Sequence, residues 1–265
     1  MYFILTNTLS ILAIIVMFIG SIVIEKFSYK RLTIYNITVL GVLTALSIIF
    51  TNIIGYNINI MGSRFMIGNF IIFLAGMLFG PIAGILNGIA ADLVGTIINS
   101  AGQFNAGFML IKVVYGVMGA LVFLDRKNSW WIFKSTIYMG IALFLHLMVL
   151  NPLLMITTYT EVSSFETFFQ YYWLNLLGTF PKPGVPKPLL FIIELPIYVS
   201  SSIVSFRVIY FSVARIPNRQ GTIWCAKSGD LGSILRKKKK VLAIEHQENN
   251  VLSHQKDLQE INPDE

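Results

Sequence analysis

A chain of 265 residues that is 55% hydrophobic and only 12% charged, with a mean hydropathy of +0.70, is too oily for a soluble domain. Its apolar residues come in runs of about 20, long enough to cross roughly 30 Å of hydrocarbon, and the ten-residue alternation of a membrane β-barrel is absent, so an all-α polytopic membrane protein is predicted. The formal charge of +7 and pI near 9.4 would suggest nucleic acid in a soluble protein; here the excess lies in loops and tail, where it reports topology, and no nucleic-acid partner is expected.

In chain order the apolar runs predict spans at about 3–24, 34–54, 66–80, 82–99, 107–124, 130–156 and 188–213. The first is read as an uncleaved anchor, because no basic residue precedes it and no small-x-small cleavage site stands out after it. Lys26, Lys30 and Arg31, then Arg126, Lys127 and Lys134, then Arg215, Arg219 and the run 236–240 all fall on one side when seven spans are threaded. That side is the cytoplasm, which leaves the N-terminus outside. Three regions follow: 1–33 as an N-terminal span with its basic loop, 34–213 as a membrane core, and 214–265 as a basic and then mixed-charge cytoplasmic tail, expected to be disordered and drawn to anionic lipid. The single cysteine, Cys225, allows no internal disulfide and matches no metal spacing. Neither metal nor cofactor is expected.

The stretch FLAGMLFGPIAGILNGIAADLVG (73–95) places glycines at 76, 80, 84 and 88, with Asp92 on the next step. Pro81 lacks an amide hydrogen and disfavours a helical Gly80, so two helices joined by a tight turn are predicted. Gly76 and Gly80 on the first, and Gly84, Gly88 and Ala91 on the second, form smooth packing faces. Asp92 has to face the bundle interior or a watery cavity, paired with Lys112 or touching a ligand.

The outward loops are predicted at about 55–65, 100–106 and 157–187. They carry Tyr56, Asn57, Asn59 and Arg64; the sequence SAGQFNAGF (100–108); and Tyr171, Tyr172, Trp173, Lys182 and Lys187. Arg64 is the only strong charge of its loop and sits where arginine is disfavoured, so a forked contact to a ligand carboxylate is expected. Tyr171 and Tyr172 read either as an interfacial belt or as ligand contacts. Asp92, Glu194 and His146 are dispersed on different helices without catalytic spacing, which argues against an enzyme. No inverted repeat supports a self-sufficient carrier, and no phosphate-binding loop supports ATP hydrolysis.

Over about residues 37–213 the chain resembles the substrate-binding S components of energy-coupling-factor (ECF) vitamin importers, specifically their folate branch. The resemblance is strongest in IGNFIIFLAGMLFGPIAG (67–84), ADLVG (91–95) and GQFNAGFMLIKVVYG (102–116), which look like that branch's glycine–proline turn, acid-containing third helix and third loop. Ala106 and Met109 depart from its usual proline and threonine, and Lys187 stands where an arginine is usual. Its Asn-Thr-aromatic-Leu element has two imperfect matches, LNPLLM (150–155), containing Asn151, and YWLNLL (172–177).

The resemblance implies a six-helix bundle, here with one extra N-terminal transmembrane helix, in a bacterial cell membrane. It implies capture of folate, or alternatively thiamine, riboflavin or a queuosine precursor, from outside. Partners would be a transmembrane coupling subunit and two cytoplasmic ATPases, with the S component toppling to release substrate inward. The expected substrate-binding set is Arg64, Asn69, Asp92, Gln103, Phe104, Asn105, Phe108, Lys112, Asn151, Trp173 and Lys187. Within it Arg64 and Lys187 would meet the anionic end of the ligand, and Phe104, Phe108 and Trp173 would cover its ring system. Gly41 and Ala45 match the family's small-xxx-small docking motif, although the same spacing also suits an internal helix contact.

Overall fold

The structure, a computed structural model, describes residues 2–25, 33–55, 59–60, 63–64, 66–98, 104–124, 130–160, 164–181, 183–214 and 224–225. Helix α1 (Tyr2–Glu25) is followed by α2 (Ile34–Ile48), which continues through wide i→i+5 turns over Ile49–Ile54 into a two-residue hairpin, β1 (Asn59–Ile60) and β2 (Ser63–Arg64). Next come α3 (Asn69–Phe79), α4 (Pro81–Ile98) and α5 (Ala106–Leu121). Helix α6 (Trp131–Phe144) passes through wide turns over Leu145–Leu150 into α7 (Asn151–Tyr159), before α8 (Phe165–Leu176) and α9 (Lys187–Ala214).

Tyr2–Glu25, Ile34–Ile54, Pro81–Ile98, Trp131–Thr158 and Lys187–Tyr210 are long and apolar enough to cross a membrane, and Asn69–Phe79 and Ala106–Leu121 are shorter apolar helices. The chain is therefore a multi-pass, helical membrane protein. Each expected span contains one of these helices, but the expected outward loops hold more structure than anticipated. The 55–65 loop carries the hairpin, with Asn59 opposite Arg64 and Ile60 opposite Ser63. The 157–187 loop contains α8, whose N-cap is Ser164: its hydroxyl accepts from the Thr167 amide at 3.2 Å, and Glu166 lies in the first turn. Those are ordinary helix-start signals, hidden beneath an aromatic run that reads as an interfacial belt. Lys26, Lys30, Arg31, Tyr56, Asn57, Gln103, Arg126, Lys127, Lys182, Arg215, Arg219 and the 226–265 tail lie outside the described residues.

Helix α3 is buried along its whole length, as an apolar-all-round helix must be. It packs against α2, α4, α5 and α9. The glycine period is packing, as expected, and its target is α5. A Cβ on Gly76 would lie 1.9 Å from the Gly116 carbonyl oxygen, one on Gly84 2.6 Å from the same atom, and one on Gly119 2.0 Å from the Phe73 oxygen. Three backbones thus meet with nothing between them, which a membrane interior rewards through dispersion. Gly80 departs from the expected packing face: with φ +98 it makes the turn between α3 and α4, a conformation that an L side chain resists.

Helix α2 is held on this slab by polar contacts. Thr44 Oγ1 donates to Asn87 Oδ1 at 2.8 Å, Ser47 Oγ to the Gly68 carbonyl at 3.0 Å, and Asn52 Nδ2 to the Gly95 carbonyl at 2.7 Å. Gly41 and Ala45 of α2 are both exposed, and a Cβ on Gly41 would meet no atom of the described residues within 4 Å.

Candidate functional site

Polar side chains in an apolar interior are costly unless satisfied, and one group of them gathers between α3, α5, the wide turn after α6, and α9. The Tyr115 hydroxyl of α5 lies 3.1 Å from His146 Nδ1, with the two rings edge-to-face at 5.8 Å between centroids. Tyr115 also stacks on Tyr198 of α9 at 6.3 Å, and Tyr198 donates to the Met66 carbonyl just ahead of α3. Glu194, one helical turn before Tyr198, is within electrostatic reach of Tyr115, Tyr198 and Lys187, and Lys187 in turn of His146. Asn69, the first residue of α3, lies beside the Tyr115 hydroxyl.

All but Lys187 are buried: Tyr115 is 0% exposed, Asn69 and Tyr198 1%, His146 and Glu194 3%. Yet Oε2 of Glu194 closes no hydrogen bond among the described residues, and the Asn69 amide has at most a long contact to the Tyr115 hydroxyl. A buried, unmet donor or acceptor costs about 1–3 kcal/mol. A fold that keeps several together holds a ready hydrogen-bonding surface for a guest. The wide turn matters locally, because i→i+5 geometry adds a residue per turn and redirects the side chains that follow, His146 among them.

Of the expected site residues, the structure brings Asn69 and Lys187 into this cluster. Asp92 and Lys112 form an ion pair of their own between α4 and α5, with Nζ 3.1 Å from Oδ1 and also donating to the Ala91 carbonyl at 3.1 Å. Asn105 caps α5: its Oδ1 accepts from the Gly107 amide at 2.8 Å while its Nδ2 donates to Thr158 at 2.9 Å. Phe104 and Trp173 are exposed, Trp173 edge-on to Phe169 and Tyr172, and Phe108 is half-buried against the core. Asn151 begins α7 and is buried. In the other motif match, Asn175 Nδ2 donates to the Phe180 carbonyl at 2.9 Å and Tyr172 to the Met148 carbonyl at 2.6 Å. Arg64 is placed on β2 opposite Asn59.

Tyr115, His146, Glu194 and Tyr198 were missed from sequence, where His146 and Glu194 read as dispersed. Through Lys187 they belong to one electrostatic cluster, while Asp92 stays with Lys112. The available signal was that each is an isolated ionisable residue inside an apolar run.

The family model for the ECF transporter substrate-specific component matches residues 35–207. The chain belongs to this family. No curated protein and no solved structure matches it. The match runs from α2 into α9 and contains the whole polar cluster, while α1 and Trp224–Cys225 lie outside it. The protein is thus an S component: a non-catalytic, substrate-binding subunit that works with coupling and ATPase subunits.

Proposed function

We propose that this S component captures folate or a closely related vitamin from outside the cell and delivers it through the coupling subunit. The observation that carries the site is the incompletely satisfied hydrogen-bonding capacity of buried Asn69 and Glu194. A carboxylate oxygen accepts N–H groups, and an amide both accepts and donates, which suits the amino-pyrimidine edge of a pterin. Arg64 and Lys187 supply positive charge for the glutamate carboxylates, although Lys187 is shared with Glu194. The six spans α2, α3, α4, α5, continuous α6–α7 and α9 then form the six-helix bundle with α1 as an added span, N-terminus outside, and Gly41 and Ala45 form the face that meets the coupling subunit. Another vitamin is the second reading, supported by Ala106 and Met109 in the first turn of α5, where the folate branch usually has proline and threonine.

Mass spectrometry of vitamin released from the purified protein identifies the ligand directly; riboflavin or thiamine in place of folate would reassign it. Tryptophan-fluorescence titration then locates its acidic end. Loss of a charge-assisted hydrogen bond weakens folate binding by about ten- to a hundredfold in Arg64→Ala. A pterin lacking the glutamate loses far less. Equal losses for both ligands remove Arg64 from the carboxylate role, and no binding of either to wild type removes folate.

A further inference from the structure

Helix α1 and Trp224–Cys225, both outside the family match, meet at one end of the bundle. The Glu25 carboxylate of α1 accepts from the Ile82 amide at 3.0 Å, at the start of α4, where the helix dipole favours a negative charge. The Trp224 backbone amide donates to the Leu78 carbonyl at 2.9 Å, and its indole Nε1 to the Ala120 carbonyl at 2.9 Å. Both carbonyls lie in the last turns of α3 and α5, where intrahelical partners run out; that of Ala120 also accepts from the Phe123 amide at 3.2 Å. Both segments close over Gly80: a Cβ there would lie 2.9 Å from Glu25 Oε1 and 3.2 Å from the Trp224 ring. The turn needs glycine for its φ of +98, and a side chain there would also press on the Trp224 ring.

At its other end α1 is tied again, because Asn7 Oδ1 accepts from the Ala106 amide at 2.7 Å, beside the Asn105 cap of α5. Between these ties, Thr6, Ser10, Ile14, Ser21 and Glu25 turn one stripe of α1 inward. The eighteen steps from Asn7 to Glu25 rise about 27 Å, close to the hydrocarbon thickness. A helix that served only as an anchor would need neither tie.

We propose that α1 and Trp224 form an intramolecular clamp on the α3–α4–α5 slab, so that the added helix stays with the substrate-binding core as one body throughout transport. The clamp stands on contacts within this chain and is independent of which vitamin binds.

Cys225, the sole cysteine, is 0% exposed directly beside Trp224, and burial pushes its thiol up, so alkylation by a membrane-permeant maleimide reads the clamp without any substrate. Wild type labels slowly. Glu25→Leu removes a charge-assisted hydrogen bond some 200 positions away in sequence, raising the local opening population and the labelling rate by about tenfold or more. Glu25→Gln keeps an acceptor and labels within about twofold of wild type. The second measurement needs no variant: in the assembled transporter hydrolysing ATP, wild-type Cys225 labels as slowly as in the isolated subunit. Glu25→Leu labelling at the wild-type rate would show that Glu25 does not hold the Trp224 segment. Acceleration during turnover would show a clamp that opens in the cycle, and either result overturns the proposal.

Discussion

The backbone contacts within the α3–α4–α5 slab and the polar face that α3 and α5 share with α9 and the wide turn after α6 solve opposite problems. In the slab, side chains are absent at the contact and backbone meets backbone, as at Gly76, Gly84, Gly116 and Gly119. On the polar face, side chains are present, buried and incompletely satisfied, as at Asn69 and Glu194. The slab spends its sequence on rigidity; the polar face leaves hydrogen-bonding capacity unused. A subunit that binds a small molecule inside a membrane needs both, because orphaned polar atoms stay in a defined geometry only if a stiff wall denies them partners of their own.

The largest effect should come from filling the slab. With a Cβ at Gly76 placed 1.9 Å from the Gly116 oxygen, Gly76→Val forces α3 and α5 apart. Overpacking costs of this kind run from about 1–3 kcal/mol upward, and rigid backbone on both sides places this one at or above the top of that range. The expected outcome is aggregated protein, seen as loss of the monodisperse peak in size-exclusion chromatography. A monodisperse Gly76→Val protein with normal thermal stability would show that the slab is softer than its contacts imply.

Next is the buried ion pair. Removing one partner of such a pair costs about 3–5 kcal/mol, whereas replacing both by apolar residues is often neutral. Asp92→Asn should therefore lower the melting temperature in detergent, and Asp92→Leu combined with Lys112→Met should restore it. Because the pair lies between α4 and α5, ligand affinity per folded molecule should change little. Lost affinity with normal stability would move Asp92 from the slab to the binding site.

Glu194→Gln sharpens the contrast from the other side. The amide keeps one acceptor and loses the charge, so binding should weaken by about tenfold or more while thermal stability holds or rises, since an incompletely paired carboxylate is removed from the interior. A drop in both together would make Glu194 a structural residue.

These differences explain what could be read in advance. The slab was legible because its signal is local and periodic: glycines four residues apart, a proline after the second of them, and an acid at the end of the register. The cost of a lone intramembrane charge left Asp92 either paired with Lys112 or touching a ligand, and the structure pairs it with Lys112. The polar cluster was not legible because residues 69, 115, 146, 187, 194 and 198 share no period, and only the packing of four helices brings them together. For α8, strong aromatic composition masked the ordinary helix start at Ser164. Asn105 was read as a ligand contact, yet at the start of α5 its amide already bonds to the Gly107 amide and to Thr158. Sequence reports residue type; it does not report how much of a side chain's bonding capacity the fold has consumed.

The smallest effect on the isolated subunit belongs to a face that neither region uses. Gly41 and Ala45 are exposed on α2, and a Cβ at Gly41 would meet open space among the described residues. Replacing either with tryptophan should leave melting temperature and ligand affinity within about twofold of wild type, since exposed substitutions away from special features change stability by only about 0.5 kcal/mol. In the complete transporter the same bulk would fall where two helices are expected to approach closely, and close approach in lipid depends on small residues. ATP-driven uptake should then be abolished while binding persists. Normal uptake by Gly41→Trp would show that the coupling subunit meets another face, and loss of binding in the isolated subunit would show that α2 is pressed against the core more tightly than its open outer surface indicates.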